Sequence, residues 1–565
     1  MKKLLYIILP LASLGLYAQE GLNRQVEVTK AYTPEVGQAV KLSPLPRMED
    51  TVALRPRISY SIRPAGWQTA FGVKPITAAG IDTRLQAWQP SLYVKAGLGA
   101  PLQSVGDIYF HQNRERASYG AYVNHRGQYD DLKNDLSLWA PAKWSTNRAG
   151  IYGGLQTGER LRLDAAVDYD WNYYTRYGLA VPAAQNGQLI YPGEPRALSY
   201  SAPRGSVTFG NDFTDLSFWN FNVGLRGGYF ADREDNDQTH FGFSAAVGKR
   251  FNFGALTLDA AWDQWRGGGK WLDGYKNRIL QFTPMYRLQA QKFRLTAGLN
   301  AAFADNTGDS DVWVFPRLRM SWDAVKGYFV PFVDITGSLT DNGFESLARR
   351  TPFITSGING FGPAATVNTA RYDLHGGISG SFSSSFAYKV YGGASFYRSR
   401  IAMVYLYDEA NTGSFIPAAQ DVVQLTIGGD LSARVWHGLE ALLDLRVHAY
   451  PENVSRDKAA DLPDLELGVG LRYTWRERLI LTAGIDLTGN RYFYGALPSD
   501  TEPVQMFIDR TQDPVADLHF SAEYTFLRRW GVFVEARNLL DQKLYPWNHY
   551  REAGVNGMAG VKFTF

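Results

Sequence analysis

The sequence lacks cysteine altogether, in a chain of 565 residues. This absence excludes disulfide scaffolds, zinc ribbons, iron–sulfur clusters, cysteine nucleophiles and a lipidated N-terminal cysteine. Neither sign of charge dominates, because 58 basic residues against 55 acidic ones leave a net charge of +3. That balance argues against a disordered chain and against a nucleic-acid partner. No long apolar run follows residue 18, so helical membrane spans are not expected.

Glycine and aromatic residues are plentiful, with 56 glycines and an aromatic fraction of 14%. Such a composition fits many short strands that end at an interface, where tyrosine and tryptophan rings lie half in water. The length would ordinarily indicate three or four soluble domains, but one membrane barrel can use the same length as a single unit.

The N-terminus has the features of an export signal. Two lysines follow Met1, and a mainly apolar run covers residues 4–16 ahead of Ala18. We interpret residues 1–18 as a signal peptide. A membrane anchor is the alternative, but this run is shorter than the roughly 20 apolar residues that a spanning helix needs. The mature chain is therefore expected to be exported, as a soluble protein or as a barrel.

Apolar and polar residues alternate over long stretches of the remaining chain. Between residues 464 and 475, Leu467, Val469 and Leu471 alternate with charged residues and glycine, and similar runs cover residues 161–170, 423–435, 439–448 and 517–526. Successive strand side chains point to opposite faces, so each run has one apolar face. Each is about ten residues long, which crosses a bilayer when the strand is tilted. A soluble β-sandwich also alternates, but its strands are usually shorter.

Tight turns such as Thr157-Gly158 and His437-Gly438 alternate with longer polar segments along the chain. Short turns on one side and long loops on the other are typical of an outer-membrane barrel. The pattern predicts an all-β fold, a transmembrane antiparallel β-barrel of about 22 strands over residues 91–565, with short periplasmic turns and long extracellular loops. We interpret Ile401 to Tyr407 as part of an outer loop, because an extra strand would break the even count. Strands in one direction are expected to begin near residues 91, 117, 160, 215, 254, 293, 327, 386, 438, 479 and 530, and strands in the other direction near residues 103, 144, 198, 238, 276, 312, 369, 421, 462, 513 and 552.

The C-terminal region carries a family resemblance. The last strand places Val561, Phe563 and the terminal Phe565 on one face, which resembles the signal by which bacterial outer-membrane barrels are recognised for assembly. Upstream, the segment that contains Asn538, Leu539, Asp541 and Tyr545 resembles the penultimate strand and turn of TonB-dependent receptors. A count near 22 strands favours the same family. The resemblance implies a Gram-negative outer-membrane location, contact with outer-membrane lipid and with the barrel assembly machinery, and transport or binding of a solute.

The segment from residue 19 to about residue 90 departs from that family. It contains seven prolines, which are too many breaks for the mixed sheet of a plug domain. We therefore expect an extended periplasmic or lumenal segment without a complete plug. Val26 and Val28 lie in a short alternating run like a TonB box, the segment that lends a strand to TonB in the family. The segment is alternatively a tail that docks periplasmic or lipoprotein partners.

Two sets of candidate site residues follow from this arrangement. Inward-facing charges are expected to line the lumen and to tune which solutes pass; the candidates are Asp164, Asp168, Asp259, Arg434, Asp444, Arg446, Asp464, Glu466, Arg472, Asp486, Glu523, Glu535 and Arg537. Aromatic residues in the long loops could stack on a ligand or belong to the interfacial girdle; these are Tyr177, Tyr191, Phe344, Tyr405, Tyr407 and Tyr494.

The sequence contains no recognisable catalytic motif. The eight histidines include no His-Glu-x-x-His pattern, and no catalytic residue, metal site or cofactor is predicted. Three functions stay open: transport or binding of a solute, a non-transporting subunit of a larger outer-membrane assembly, and a passive porin.

Overall fold

The computed structural model describes residues 91–134, 137–178, 183–185, 188–190, 197–211, 213, 215–355, 367–407, 413–451, 458–497 and 505–565. The predicted signal peptide, the segment of residues 19–90 with Val26 and Val28, and the loop residue Tyr191 lie outside these ranges.

The described residues form long strands, a few short ones and one short helix. The elements are β1 (Leu92–Ala100), β2 (Gln103–Asn113), β3 (Ala117–Gln128), β4 (Leu132–Lys133), β5 (Trp139–Ala140), β6 (Trp144–Thr157), β7 (Leu161–Thr175), β8 (Ala183–Gln185), β9 (Gln188–Ile190), β10 (Ala197–Gly210), β11 (Asn220–Asp232), β12 (Asn236–Phe251), β13 (Gly254–Gly269), β14 (Lys276–Gln289), β15 (Phe293–Asn306), β16 (Asp309–Trp322), β17 (Val330–Thr340), α1 (Phe344–Arg350), β18 (Thr369–Ser383), β19 (Phe386–Leu406), β20 (Ser414–Trp436), β21 (Leu439–Ala449), β22 (Leu465–Trp475), β23 (Leu479–Thr488), β24 (Arg491–Leu497), β25 (Gln505–Gln512), β26 (Val515–Thr525), β27 (Trp530–Arg537) and β28 (Asn556–Thr564).

All strands except β4, β5, β8, β9, β24 and β25 form the wall of a closed barrel of 22 antiparallel strands. The barrel closes where β1 pairs with β28, in a register that sets Tyr93 opposite Thr564 and Ala100 opposite Gly557. The predicted fold class is therefore confirmed. Every wall strand begins within seven residues of its predicted start.

The two faces of each wall strand differ in polarity, as β7 shows. Leu163, Val167 and Trp171 are exposed on the outer face, whereas Asp164 and Asp168 between them face the lumen. An apolar outer band is what a strand needs where it meets lipid. Within the described ranges, no helix is long and apolar enough to cross a membrane.

The turns at one end of the wall are short. His437 and Gly438 alone connect β20 to β21, and Gly438 takes a φ of +84°, a conformation that glycine adopts without the steric cost of a Cβ atom. Both ends of the wall sequence, Leu92 and Phe565, lie at this end and exchange backbone hydrogen bonds of 3.0 and 2.8 Å. The connections of more than ten residues, including the one that contains α1, all lie at the opposite end.

The loop interpretation of Ile401 to Tyr407 was wrong for most of its length. Strand β19 continues to Leu406, past an irregularity in register between Tyr397 and Arg400, and pairs with the first residues of β20. Residues 401–406 are all buried. The even count holds because this segment extends an existing wall strand and adds none.

Candidate functional site

Outer segments from different parts of the wall meet at the long-loop end, and we call this assembly the cap. Its core includes Tyr177 after β7, Phe353 after α1, Tyr405 at the end of β19, Phe415 at the start of β20, and Tyr550 before β28. Strands β7, β17 and β28 are separated from one another by at least four other wall strands. Contacts among these residues therefore bridge the barrel mouth.

Ring contacts join these segments. The rings of Phe353 and Tyr550 stack with their centroids 3.8 Å apart, and the Tyr177 ring meets Tyr550 edge-on at 4.9 Å. Phe415 lies 5.8 Å from Tyr550 and 5.6 Å from Tyr405. Phe353 and Tyr550 are 3% and 0% exposed. Aromatic pairs contribute roughly 0.5–1.5 kcal/mol each beyond the area that they bury. The cluster therefore adds to the backbone pairing of Tyr405 and Ile354 with Phe415, and it joins the loops of Tyr177 and Tyr550 to these segments.

The tyrosine hydroxyls in the cap donate to backbone carbonyls of other segments. The Tyr550 hydroxyl donates to the Gly413 oxygen at 2.5 Å, and the Tyr405 hydroxyl donates to the Gly178 oxygen at 3.1 Å. The Trp547 indole N–H donates to the Arg350 oxygen at 3.1 Å. Buried hydroxyl groups need such partners. The bonds also fix the relative positions of the connected loops.

Helix α1 docks on the inner wall through Asp170. This buried carboxylate on β7 accepts a hydrogen bond from the Arg349 guanidinium of α1 at 3.0 Å, and it pairs with Arg204 of β10 and, at 3.4 Å, with Arg148 of β6. Glu345 of α1 lies 3.7 Å from the Arg204 guanidinium. One acidic group thus connects an outer-loop helix to three neighbouring strands of the wall.

The substitution Asp170→Asn is expected to release α1 from the wall. It removes the charge that Arg349 and the two wall arginines share, and breaking a buried ion pair on one side costs about 3 kcal/mol. Limited proteolysis in intact cells should then cleave the segment of residues 341–368 faster. Asp168→Asn is the matched control, because Asp168 lies on the same face of β7 and bonds Arg148 and Tyr122 without contacting α1. Equal cleavage in both variants would contradict the role of Asp170.

A polar cluster lies beside the aromatic core. The Asp509 carboxylate of β25 accepts hydrogen bonds from the Tyr407 hydroxyl at 2.7 Å and from the Asn548 amide at 2.5 Å, and it lies 2.8 Å from Nε2 of His549. Desolvation raises the pKa of Asp509, but the hydrogen bonds from His549 and Tyr407 outweigh it, so the pKa lies below its usual value. The charged carboxylate therefore connects the β24–β25 hairpin to the last outer loop.

The pKa of Glu552, in the same last outer loop, predicts that the stability of the cap depends on pH. Desolvation, and then repulsion from Asp517, raise its pKa to about 7, against opposing attraction from Arg537 and Arg491. Between about pH 4.5 and 7, Glu552 is protonated in the folded protein but ionised in the unfolded chain. The contribution of Glu552 to the free energy of unfolding is therefore fully present below about pH 4.5, and it is lost as the pH rises through this window.

Glu552→Gln is accordingly expected to match the wild type at pH 4.5 and to be more stable at pH 8. Since Glu552 keeps partial access to solvent, the gain should be about 1–2 kcal/mol rather than the roughly 3 kcal/mol of the full shift. Thermal unfolding followed by tryptophan fluorescence measures it. A difference between the two proteins that does not change with pH would contradict the assignment.

Most predicted loop-ligand residues are part of the cap's packing. Tyr177, Phe344, Tyr405 and Tyr494 are buried, and Tyr407 is partly buried with its hydroxyl on Asp509. Ligand stacking by these rings stays a prediction. Four further aromatic residues of the cap were not among the residues predicted from the sequence, namely Phe353, Phe415, Trp547 and Tyr550. An available signal was the aromatic run Tyr545-Pro546-Trp547-Asn548-His549-Tyr550 in the last outer loop.

The predicted lumen-lining residues, apart from Asp464, lie on wall strands and share the face opposite the exposed apolar residues. Many are ion-paired along the inner wall: Lys95 with Glu535 at 2.7 Å, Arg446 with Asp444 at 2.8 Å and with Glu466 at 3.6 Å, His519 with Asp486 at 3.6 Å, and Lys562 with Glu523. Arg434, Arg472 and Arg537 are on the same face, at least partly exposed. Their effect on which solutes pass stays a prediction.

Asp464 has a different position. It precedes β22, and its carboxylate accepts hydrogen bonds from the backbone N–H and the side-chain amide of Asn490 at 2.7 and 2.8 Å. It therefore connects two outer segments, and its contribution to the lumen lining stays a prediction.

The residues of the C-terminal motifs lie at the end of the barrel wall and at the base of the last outer loop. Val561 and Phe565 are exposed on the outer face, and the Phe563 ring packs 4.8 Å from that of Trp530. Asn538 is buried with a φ of +48°, and its side chain bonds the backbone of Gln542 and Ala553. This asparagine thus shapes the base of the loop that carries Tyr550. Recognition by the assembly machinery stays a prediction.

The ranges described by the structure contain no group of three histidine, aspartate or glutamate side chains placed to hold a metal ion. Comparison with protein-family models gives no match, and none of the curated proteins matches the chain.

Solved structures do resemble the barrel. The FrpB iron transporter from Neisseria meningitidis aligns with a TM-score of 0.64 and 10% identity, over 84% of this chain and 81% of its own. The ferripyoverdine receptor of the outer membrane of Pseudomonas aeruginosa aligns with a TM-score of 0.62 and 10% identity, over 84% and 72% of the two chains. The ferric-catecholate import receptor Fiu from E. coli aligns with a TM-score of 0.61 and 9% identity, over 84% and 82%.

These neighbours are receptors and transporters of the Gram-negative outer membrane. The fold and the apolar outer band together place this barrel in the same membrane, as predicted. The chain therefore has the 22-stranded barrel fold of TonB-dependent outer-membrane receptors.

Proposed function

We propose that this protein takes up a solute across the outer membrane through a barrel whose outer mouth is gated by the cap. The observation that carries the proposal is the aromatic core, in which Phe353 stacks on Tyr550 and connects loops from separated parts of the wall. A passive porin needs a mouth that stays open to diffusion. Loops joined by a buried core must instead separate before a large solute can enter.

The neighbours support uptake as the class of function, since their names describe an iron transporter, a ferripyoverdine receptor and an import receptor. The proposal includes no catalytic role for this chain. It extends to the energy source: the segment of residues 19–90, with Val26 and Val28, would engage TonB or another periplasmic partner. A subunit that only docks partners remains the competing function.

Depletion of a complex medium tests uptake of every solute that the medium contains. Cells that express the protein and matched cells that lack it are grown in the same medium, and mass spectrometry follows each solute. Uptake predicts at least one solute that only the expressing cells remove. If every solute disappears equally from both cultures while the barrel co-purifies with other envelope proteins, the docking function replaces uptake.

A further inference from the structure

Two arginines of the cap lie close to each other: Arg350 at the end of α1 and Arg400 on the wall strand β19. Arg400 of β19 stands opposite Gln420 of β20 in the strand register. Along β20, Gln420 shares its face with Thr426, whereas Leu425 and Ile427 on the opposite face are exposed to lipid. Arg400 therefore points toward the lumen, just below the buried segment of residues 401–406. Arg350, the last residue of α1, donates to the Ile401 oxygen at 2.8 Å and is held next to it.

The surrounding backbone holds this pair in place. The Arg400 guanidinium donates to the Ala460 oxygen at 2.9 Å, and the Gln420 amide fixes the same segment through bonds to Lys458 and Ala460 of 2.8 and 3.1 Å. Asp461 accepts a hydrogen bond from the Met403 N–H at 3.2 Å. The two cations thus project from elements that are bonded to each other, and they do not depend on one flexible loop.

Neither guanidinium is neutralised by a direct partner. The guanidinium groups of Arg350 and Arg400 each make one hydrogen bond, to a carbonyl oxygen, and no ion pair with any carboxylate in the described part of the chain. Burial, and then the nearby Arg400 cation, lower the pKa of Arg350 to about 10, while Asp461 acts in the opposite direction. Arg350 nevertheless stays exposed and Arg400 partly exposed to solvent. Each guanidinium has five donors in a planar fork, so most remain available.

We propose that Arg350 and Arg400 bind the oxyanion of a solute, a carboxylate or a phosphate group, on the lumen side of the cap. Two adjacent guanidinium groups match the geometry of such an anion and can bind it bidentately. An anion between them would also relieve their mutual repulsion. This inference rests on the proposed uptake function and assigns it a substrate class, namely acidic solutes.

The test uses the purified full-length protein, with citrate and inorganic phosphate as probes in calorimetric titration at constant ionic strength. Arg350→Ala and Arg400→Ala should each weaken binding by about tenfold or more, as expected when a charged hydrogen bond is lost. Asp461→Asn should strengthen binding, because it removes the nearest opposing charge and keeps an oxygen acceptor for Met403.

Two control arginines distinguish a site from general attraction. Arg398→Ala removes an exposed arginine of β19 that lies two residues before Arg400. Arg319→Ala removes an arginine from the lumen face near the short-turn end of β16, opposite the exposed Met320. Both should bind the probes like the wild type. Arg400→Lys serves if the alanine variant does not fold, and it should also weaken binding because the lysine lacks the planar fork.

Absence of citrate and phosphate binding in both the wild type and Asp461→Asn would overturn the site, as would equal weakening in the two control variants. The result is independent of transport. Anion binding without solute uptake would refute the proposed function alone, and uptake of only neutral or cationic solutes without anion binding would refute this inference alone.

Discussion

The double substitution Phe353→Ala and Tyr550→Ala is expected to increase access of an external reagent to the lumen by about 100-fold. Both rings are buried in the core that joins the last outer loop to the segment after α1. Truncating one such ring to alanine costs about 3–5 kcal/mol, and about 2.8 kcal/mol already changes an opening equilibrium 100-fold. The wall should stay intact, because neither residue belongs to a wall strand.

A single introduced thiol measures this access. The chain contains no cysteine, so Ala166→Cys on the lumen face of β7 supplies the only reactive thiol. Intact cells are treated with a membrane-impermeant maleimide, and the labelling rate is compared with and without the two cap substitutions. The reagent must enter from outside, so the rate reports the fraction of time that the mouth is open.

An aromatic pair at the other end of the barrel provides the control. Phe251 and Phe253 stack with their ring centroids 5.4 Å apart at the short-turn end, and their replacement by alanine should leave the labelling of residue 166 unchanged. Heat-modifiable migration in detergent gels confirms that each variant is folded. A correctly folded cap variant that is labelled at the wild-type rate would show that the aromatic core does not close the mouth.

The wall could be predicted from the sequence because its determinants are local. Each strand carries its own period-two pattern, as at Leu163 to Asp168, and that pattern fixes both the element and the face that meets lipid. Tight turns such as His437-Gly438 then mark where one strand ends and the next begins. The same periodicity places Asp168 and Glu535 on the face opposite the exposed apolar residues. It does not extend to Asp464, which precedes its strand and accepts a hydrogen bond from Asn490.

The cap could not be predicted in this way, because its contacts join residues that are far apart in the chain. Nothing near Phe353 indicates that Tyr550 will stack on it, and the two loops have no shared period. The buried residues 401–406 are a second case. An exposed outer loop would be polar, whereas these apolar residues continue strand β19 and pack beneath other outer segments. Burial by tertiary contacts, rather than local propensity, decides their structure.

Tethering α1 to the wall is expected to stop uptake altogether. Asp170→Cys and Arg349→Cys replace the ion pair between β7 and α1 with two thiols, the only ones in the chain. Without a cross-link, the variant should behave like Asp170→Asn, with a loosened helix. A bifunctional thiosulfonate that joins the thiols through disulfides should hold α1, and with it Phe344 and Phe353, against the wall. Either single-cysteine variant, treated in the same way, controls for modification alone.

The most direct test of a displaceable cap is the rate at which cells carrying this tethered barrel remove the solute identified by medium depletion. A displaceable cap predicts no protein-dependent uptake while the cross-link is present and full recovery after a reductant opens it, with both single-cysteine variants active throughout. Uptake that continues at the untethered rate with the cross-link formed would contradict a displaceable cap, since the solute would then pass without movement of the cap.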